Sequence, residues 1–249
     1  LSATAYASLG RGGGSGDLGR NGSFGFFSSS RWRNADNGYV LWDEVVKHNS
    51  GQSANWRYGS TSMGVDATTG QYIVNDESFS SRSEYPRRNG WIQRNSVNSH
   101  NWFGAIANLK TELAENLTLD VGFDSRFYKG LHYRNVRDLL GSDGYRDSRY
   151  NGAPNTSGVV AATKEYQWPI GDVWNVFGDT DAEEKIDRNN NGVIDYFGLY
   201  FQLEYLMDDI SIFVQGSGSN KGFQREEFYL YANGDPLQYS DKVNVAGGT

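Results

Sequence analysis

The chain has no cysteine, only four prolines and three histidines, no block of basic residues, and no long apolar run. Without cysteine there is no disulfide framework and no thiolate metal site. The scarcity of proline argues against proline-rich linkers. The histidines, at 48, 100 and 132, lack the His-x-x-x-His or Glu-x-x-His spacing of a zinc site. A formal charge of −7, from 23 basic and 30 acidic residues, argues against nucleic acid as a partner. No stretch approaches the roughly eighteen apolar residues of a spanning helix, which excludes a helical membrane protein but not a β-barrel, whose strands hide their apolarity in alternation. The glycines of Gly10 to Gly19 mimic a phosphate loop in spacing, but Gly-Lys-Ser/Thr is missing and no amphipathic helix follows. No Gly-x-Ser-x-Gly nucleophile motif occurs either, so an enzyme is not expected. Leu1-Ser2-Ala3-Thr4 carries no charged or apolar leader, so a processed chain or a fragment is the expectation for an exported protein.

Glycine (31) and aromatic residues (7 Trp, 16 Tyr, 13 Phe) are abundant, and alternation is the organising pattern. Phe197, Leu199, Phe201, Leu203 and Tyr205 alternate with Gly198, Tyr200, Gln202, Glu204 and Leu206. After Met207-Asp208-Asp209 the period resumes, with Ile210, Ile212 and Val214 opposite Ser211, Gln215 and Ser217. Strand side chains point to alternate faces, so this is a hairpin with one apolar and one polar face. Each arm has about the ten residues that a tilted strand needs to cross a bilayer. A second hairpin has Phe103, Ala105, Ala107, Leu109 and Leu113 in its first arm. In its second, Leu117, Leu119, Val121, Phe123 and Phe127 stand opposite Thr118, Asp120, Asp124 and Arg126.

Strands are thus expected at roughly 1–10, 97–113, 117–134, 196–206 and 210–224, with long loops at roughly 11–96, 135–195 and 225–249. The connections at 114–116 and 207–209 are short, the others long. Outer-membrane barrels sort their connections this way, with short periplasmic turns and long extracellular loops, whereas a soluble sandwich has no reason to. The expectation is an all-β protein, an antiparallel transmembrane β-barrel segment within one partial domain. In the alternative, a secreted or surface all-β binding module such as a calcium-stabilised adhesin or glycan-binding domain, the same apolar faces pack on a second sheet.

Particular segments also resemble TonB-dependent outer-membrane receptors of the Bacteroidetes type. They are Gly10 to Gly14; Asn98-Ser99-His100-Asn101-Trp102-Phe103-Gly104; Asn116-Leu117-Thr118 to Gly122-Phe123-Asp124-Ser125-Arg126; and Tyr128-Lys129-Gly130-Leu131-His132-Tyr133-Arg134 with Asp138-Leu139-Leu140-Gly141. Tyr196 to Tyr205 and Ser240-Asp241-Lys242-Val243-Asn244 complete the set. The resemblance implies an internal piece of a 22-stranded barrel whose plug and TonB-contacting box lie outside this chain. It implies energised uptake of a scarce nutrient, through TonB and its inner-membrane motor, of a small-molecule, peptide or glycan solute, with outer-membrane lipid around the barrel and a surface lipoprotein as a further partner.

Several residues stand out as site candidates. Asp120, Asp124, Arg126, Gln202 and Glu204 are expected to face the lumen, and Phe103, Leu119, Phe123, Phe201 and Leu203 to face lipid. Asp187-Arg188-Asn189-Asn190-Asn191-Gly192-Val193-Ile194-Asp195 fits the first nine positions of an EF-hand-like loop. Oxygens from Asp187, Asn189, Asn191, the Val193 carbonyl and Asp195 would take Ca2+, with Gly192 at the bend. Gly198 stands where the bidentate Glu belongs, leaving a missing acid to Asp179, Asp181, Glu183 or Glu184, and the plain alternative is an Asn/Gly turn before the next strand. Trp32, Trp42, Trp56, Trp91, Trp168 and Trp174 are expected to pack the loops rather than stack on a ligand at the extracellular mouth.

Overall fold

A computed structural model describes residues 1–19, 30–57, 59–76, 89–147, 160–167 and 183–249. The chain is mostly strand. Its largest element is an antiparallel meander in the order β1-β6-β7-β10-β11-β12. β1 (Ser2–Gly10) and β2 (Gly13–Leu18) lie end to end along β6 in one unbroken register, from Ser2↔Asn108 to Leu18↔Ile92. Between β2 and β6 come α1 (Trp42–Asn49), the small hairpin β3 (Ala54–Trp56) and β4 (Gly59–Thr61), and β5 (Ile73–Asn75). The long strands β6 (Ile92–Ala114) and β7 (Leu117–Asp138) follow. β8 (Gly144–Asp147) and β9 (Val160–Ala162) then join β5 in a three-stranded sheet. β10 (Lys185–Met207), β11 (Ile210–Glu227) and β12 (Val243–Gly248) complete the main sheet, which is open at β1 and β12 among the described residues.

The two short turns lie together at one end. Glu115-Asn116 and Asp208-Asp209 each close a hairpin, with Asn116 (φ 73°) and Asp208 (φ 29°) in left-handed backbone that Asn and Asp tolerate better than other side chains. The Leu206 amide donates to the Asn116 carbonyl at 2.8 Å and ties the turns to each other. The long connections all leave from the opposite end, where their described residues form a cap over the strand tops.

Two buried clusters hold this cap. Met63, Val74, Leu139, Tyr145 and Ala162 pack on Ile92, Val136 and Ile186 from the tops of β6, β7 and β10. Trp32, Val45, Ala54, Trp91 and Leu140 form the second. α1 contributes Val45, His48 and Asn49, the i, i+3, i+4 spacing of one helix face, and its Asp43, Glu44 and Lys47 suit the helix dipole. The Asn49 side-chain amide donates to the carbonyls of Trp91 (2.7 Å) and Leu140 (3.0 Å), pinning the helix between two separate connections.

Several expected boundaries need correction. The strand expected at 1–10 is β1, which ends at Gly10, but the segment expected to be a loop after it holds β2 (Gly13–Leu18), because glycine is silent in a hydropathy pattern yet compatible with an extended chain. Gly10 and Gly16 even make room for a neighbour: a Cβ would fall 2.2 Å from the His100 ring and 2.8 Å from the Arg94 guanidinium. β6, β7, β10 and β11 all extend beyond their expected limits at the cap end, where no apolar alternation marks them because both faces are polar or buried. The segments expected as loops at 11–96 and 135–195 contain a helix and short strands with a core, and 225–249 contains β12.

Candidate functional site

Register decides which side chains of different strands meet. In β7 and β10, Asp120 pairs with Gln202, Gly122 with Tyr200, Asp124 with Gly198, and Arg126 with Tyr196. Thr118 pairs with Glu204, so Asp120, Asp124, Arg126, Gln202 and Glu204 all share one face. On the other face Leu119 meets Leu203, Val121 meets Phe201, Phe123 meets Leu199, and Phe103 meets Phe127. The five residues singled out as apolar, Phe103, Leu119, Phe123, Phe201 and Leu203, are therefore together as well.

The apolar face has no cover among the described residues. Phe197, Leu199, Phe201 and Tyr205 retain 48, 54, 46 and 42% of their accessible surface, and Ile212 and Val214 retain 53 and 61%. The aromatic and aliphatic side chains run from Leu117 to Phe127 on β7, about 33 Å of strand at 3.3 Å per residue. A trough of about 890 Å³ crosses this face over Leu109, Val121, Phe123, Leu199 and Phe201, and ends at Gly216 and Gly218. Above Phe127 the same face turns charged. Lys129 pairs with Glu226 at 2.8 Å, Lys242 with Asp195 at 2.6 Å, and the Asn191 amide donates to Glu226 at 2.8 Å.

The polar face is built around glycine clearings covered by tyrosine rings. A Cβ on Gly104 would lie 2.3 Å from the Tyr6 ring, and one on Gly122 would lie 2.4 Å from Tyr200. The Asn108 amide donates both to Asp120 and to the Tyr200 hydroxyl. Arg126 is paired with Asp124, and its guanidinium sits over Tyr196 at 5.3 Å. Lys221, across from Tyr196 in β11, lies 5.9 Å from that ring and 6.0 Å from Phe223. Sequence reasoning missed Asn108, Tyr200, Tyr196 and Lys221. Alternation assigns each to the polar face, but only strand pairing brings them beside Asp120 and Arg126.

The calcium-loop reading of 187–195 is corrected by the backbone. The segment lies inside β10, paired on one side with β7 and on the other with β11. Side chains at 187, 189, 191, 193 and 195 are then spread along a strand at roughly 6.6 Å per alternate residue, so they cannot converge on one ion. Asp187 (φ 58°) marks an irregularity in the pairing. Its carboxylate pairs with Arg134, and its amide donates to buried Asp147 at 2.6 Å, where the Tyr229 hydroxyl also donates at 2.7 Å. No cluster of three His, Cys, Asp or Glu side chains able to hold a metal occurs among the described residues. Glu183 and Glu184 serve other partners, the Asn135 amide and the Thr163 backbone, while Asp179 and Asp181 lie outside the described residues.

The cap tryptophans pack. Trp32 meets Trp91 edge-on at 5.0 Å and stacks with Trp56 at 5.9 Å, and His48 closes the group 5.4 Å from Trp32. Burial holds the His48 imidazole below its ordinary pKa, and its Nε2 lies 3.0 Å from the Asn89 carbonyl. Trp42 is partly exposed, and Trp168 and Trp174 lie outside the described residues. Set beside known protein families, curated proteins and solved structures, the chain has no match.

Proposed function

We propose that this chain is part of the wall and outer cap of an outer-membrane β-barrel, in a receptor that takes up a scarce nutrient by TonB-dependent transport. One observation carries the reading: strand register gathers most of the apolar side chains of the meander into an exposed belt, opposite a face that carries the charged and amide side chains. A barrel strand needs such a belt, about 25 Å tall, and the roughly 33 Å of belted strand fits it at a tilt near 40°. Short turns at one end and a folded cap at the other agree with periplasmic and extracellular ends. The remaining strands, the plug and the TonB-contacting box would come from a longer polypeptide, and the open edges at β1 and β12 are where further strands would pair. On this reading Asp120, Asp124, Arg126, Gln202 and Glu204 line the lumen, and lipid contacts Phe103, Leu119, Phe123, Phe201 and Leu203.

A soluble all-β binding module is the rival, and the trough on the apolar face favours it, since a second protein layer would fill such a depression. Cell fractionation separates the two. The membrane reading expects the protein to stay in the membrane pellet after an alkaline wash and to need detergent for release. Recovery as a monomer from detergent-free extract would sink it.

A further inference from the structure

The polar face changes character towards the cap. Its successive rows across β6, β7, β10 and β11 are Gly104, Arg126, Tyr196 and Lys221; then Trp102, Tyr128, Ile194 and Phe223; then His100, Gly130, Gly192 and Arg225. The middle row is apolar although it shares a face with Asp120, Asp124 and Arg126. Trp102 and Phe223 remain 38 and 39% exposed there, and Trp102 meets the Tyr128 ring edge-on at 6.1 Å. Gly130 and Gly192 are cross-strand partners; the Tyr128 hydroxyl and the His132 ring lean over Gly130, whereas a Cβ at Gly192 would meet nothing within 4 Å, so the floor is open on the Arg225 side.

Charge on this floor is unequal. Arg126 is neutralised by Asp124, and Arg225 lies 3.8 Å from Glu227. Lys221 has two aromatic faces beside its ammonium and, among the described residues, no carboxylate partner. An ammonium left beside aromatic rings on a hydrated face attracts an anion, while the rings offer stacking surface to a flat body. Three strand spacings by four residues give a platform of about 14 by 13 Å, room for a few fused rings.

We infer that the Lys221–Phe223–Trp102 platform binds a solute with a flat, unsaturated body and a carboxylate or similar anionic group. The anion sits at Lys221, with Arg126 on the far side of Tyr196, and the body lies along the Phe223–Tyr128–Trp102 row. The inference rests on the reading of this face as the one that meets solute, and it narrows the solute to an anionic, partly apolar class. It owes nothing to Asp120, Gln202 or Glu204, which lie farther towards the short turns.

The test uses the full chain in detergent micelles, with 2-naphthoate as probe and neutral 2-naphthamide as its control, followed by ligand-observed NMR titration. The wild type is expected to prefer naphthoate. Lys221→Gln should weaken naphthoate about tenfold, the scale of one lost charge-assisted contact, and leave naphthamide within about twofold. Lys221→Arg should restore naphthoate binding, Phe223→Ala should weaken both probes, and Lys242→Gln on the opposite face should weaken neither. Equal affinity for the two probes, or unchanged naphthoate binding in Lys221→Gln, overturns the platform. Membrane association is scored separately. A membrane-bound protein without the Lys221 dependence removes the platform alone. A soluble protein that keeps the dependence removes the membrane reading and leaves the platform standing.

Discussion

Phe201 and Glu204 are three residues apart in one strand and point to opposite faces, which makes them the sharpest pair for testing what surrounds the sheet. With lipid on the Phe201 side, Phe201→Arg is expected to cost about 2–4 kcal/mol, because a guanidinium would be moved into hydrocarbon. Glu204→Gln should cost much less, since its face is hydrated on the same reading. Urea unfolding of the variants in lipid vesicles measures both, and equal effects would contradict the face assignment. Glycines divide in the same residue-by-residue way. Gly19 has φ 93°, and a Cβ there would fall 2.3 Å from the Gly90 carbonyl oxygen, a backbone atom that cannot step aside. Gly19→Ala should therefore destabilise the junction of β2 and cap by about 2 kcal/mol or more, while Gly14→Ala, with open space around it, should stay within about 0.5 kcal/mol. Chemical denaturation of the two variants side by side gives the contrast.

At the scale of elements, the cap is the unit most exposed to solution conditions. His48 sits on α1 among Trp32 and Trp91 with its pKa lowered by burial, so the folded cap holds it neutral. The unfolded chain protonates it near pH 6.5, whereas the folded cap resists protonation until a lower pH. The stabilisation is thus complete above about pH 6.5 and is lost as pH falls from there through the folded-state value. Hydrogen exchange of cap amides should show faster opening at pH 5 than at pH 7.5 after correction for intrinsic rates, and His48→Gln should flatten that difference. A cap equally protected at both values would show that another group governs it. Asn49→Ala acts on the same element without pH dependence. It leaves the Trp91 and Leu140 carbonyls without their side-chain donor, at about 1–3 kcal/mol for each group left unsatisfied, and proteolysis should then cut the cap before the meander.

For the whole molecule, strand pattern and connection length could be read directly from residues. Odd-numbered apolar positions from Leu117 to Phe127 and from Phe197 to Tyr205 announce their faces in sequence, because one face is apolar and the other polar. The turns at Asn116 and Asp208 announce themselves through the breaks they make. Where both faces are polar, as in Asp187 to Asp195, the same strand gives no periodic signal, and a run of Asp, Asn and Gly imitates a metal loop. The cap was hidden for a related reason: its core is assembled from Trp32, Val45, Met63, Trp91 and Tyr145, single apolar residues scattered through polar sequence. Its helix α1 has just eight residues, too short to establish a period. Local sequence determined that the chain alternates, where it turns tightly, and which residues belong to each face, because these follow from the geometry of a strand and its neighbours. Which residues of different strands stand together was decided by pairing across tens of residues. The Arg126–Tyr196–Lys221 row, the carboxylates engaged by Arg134 and Tyr229, and the packing of distant tryptophans around His48 exist only once that register is set.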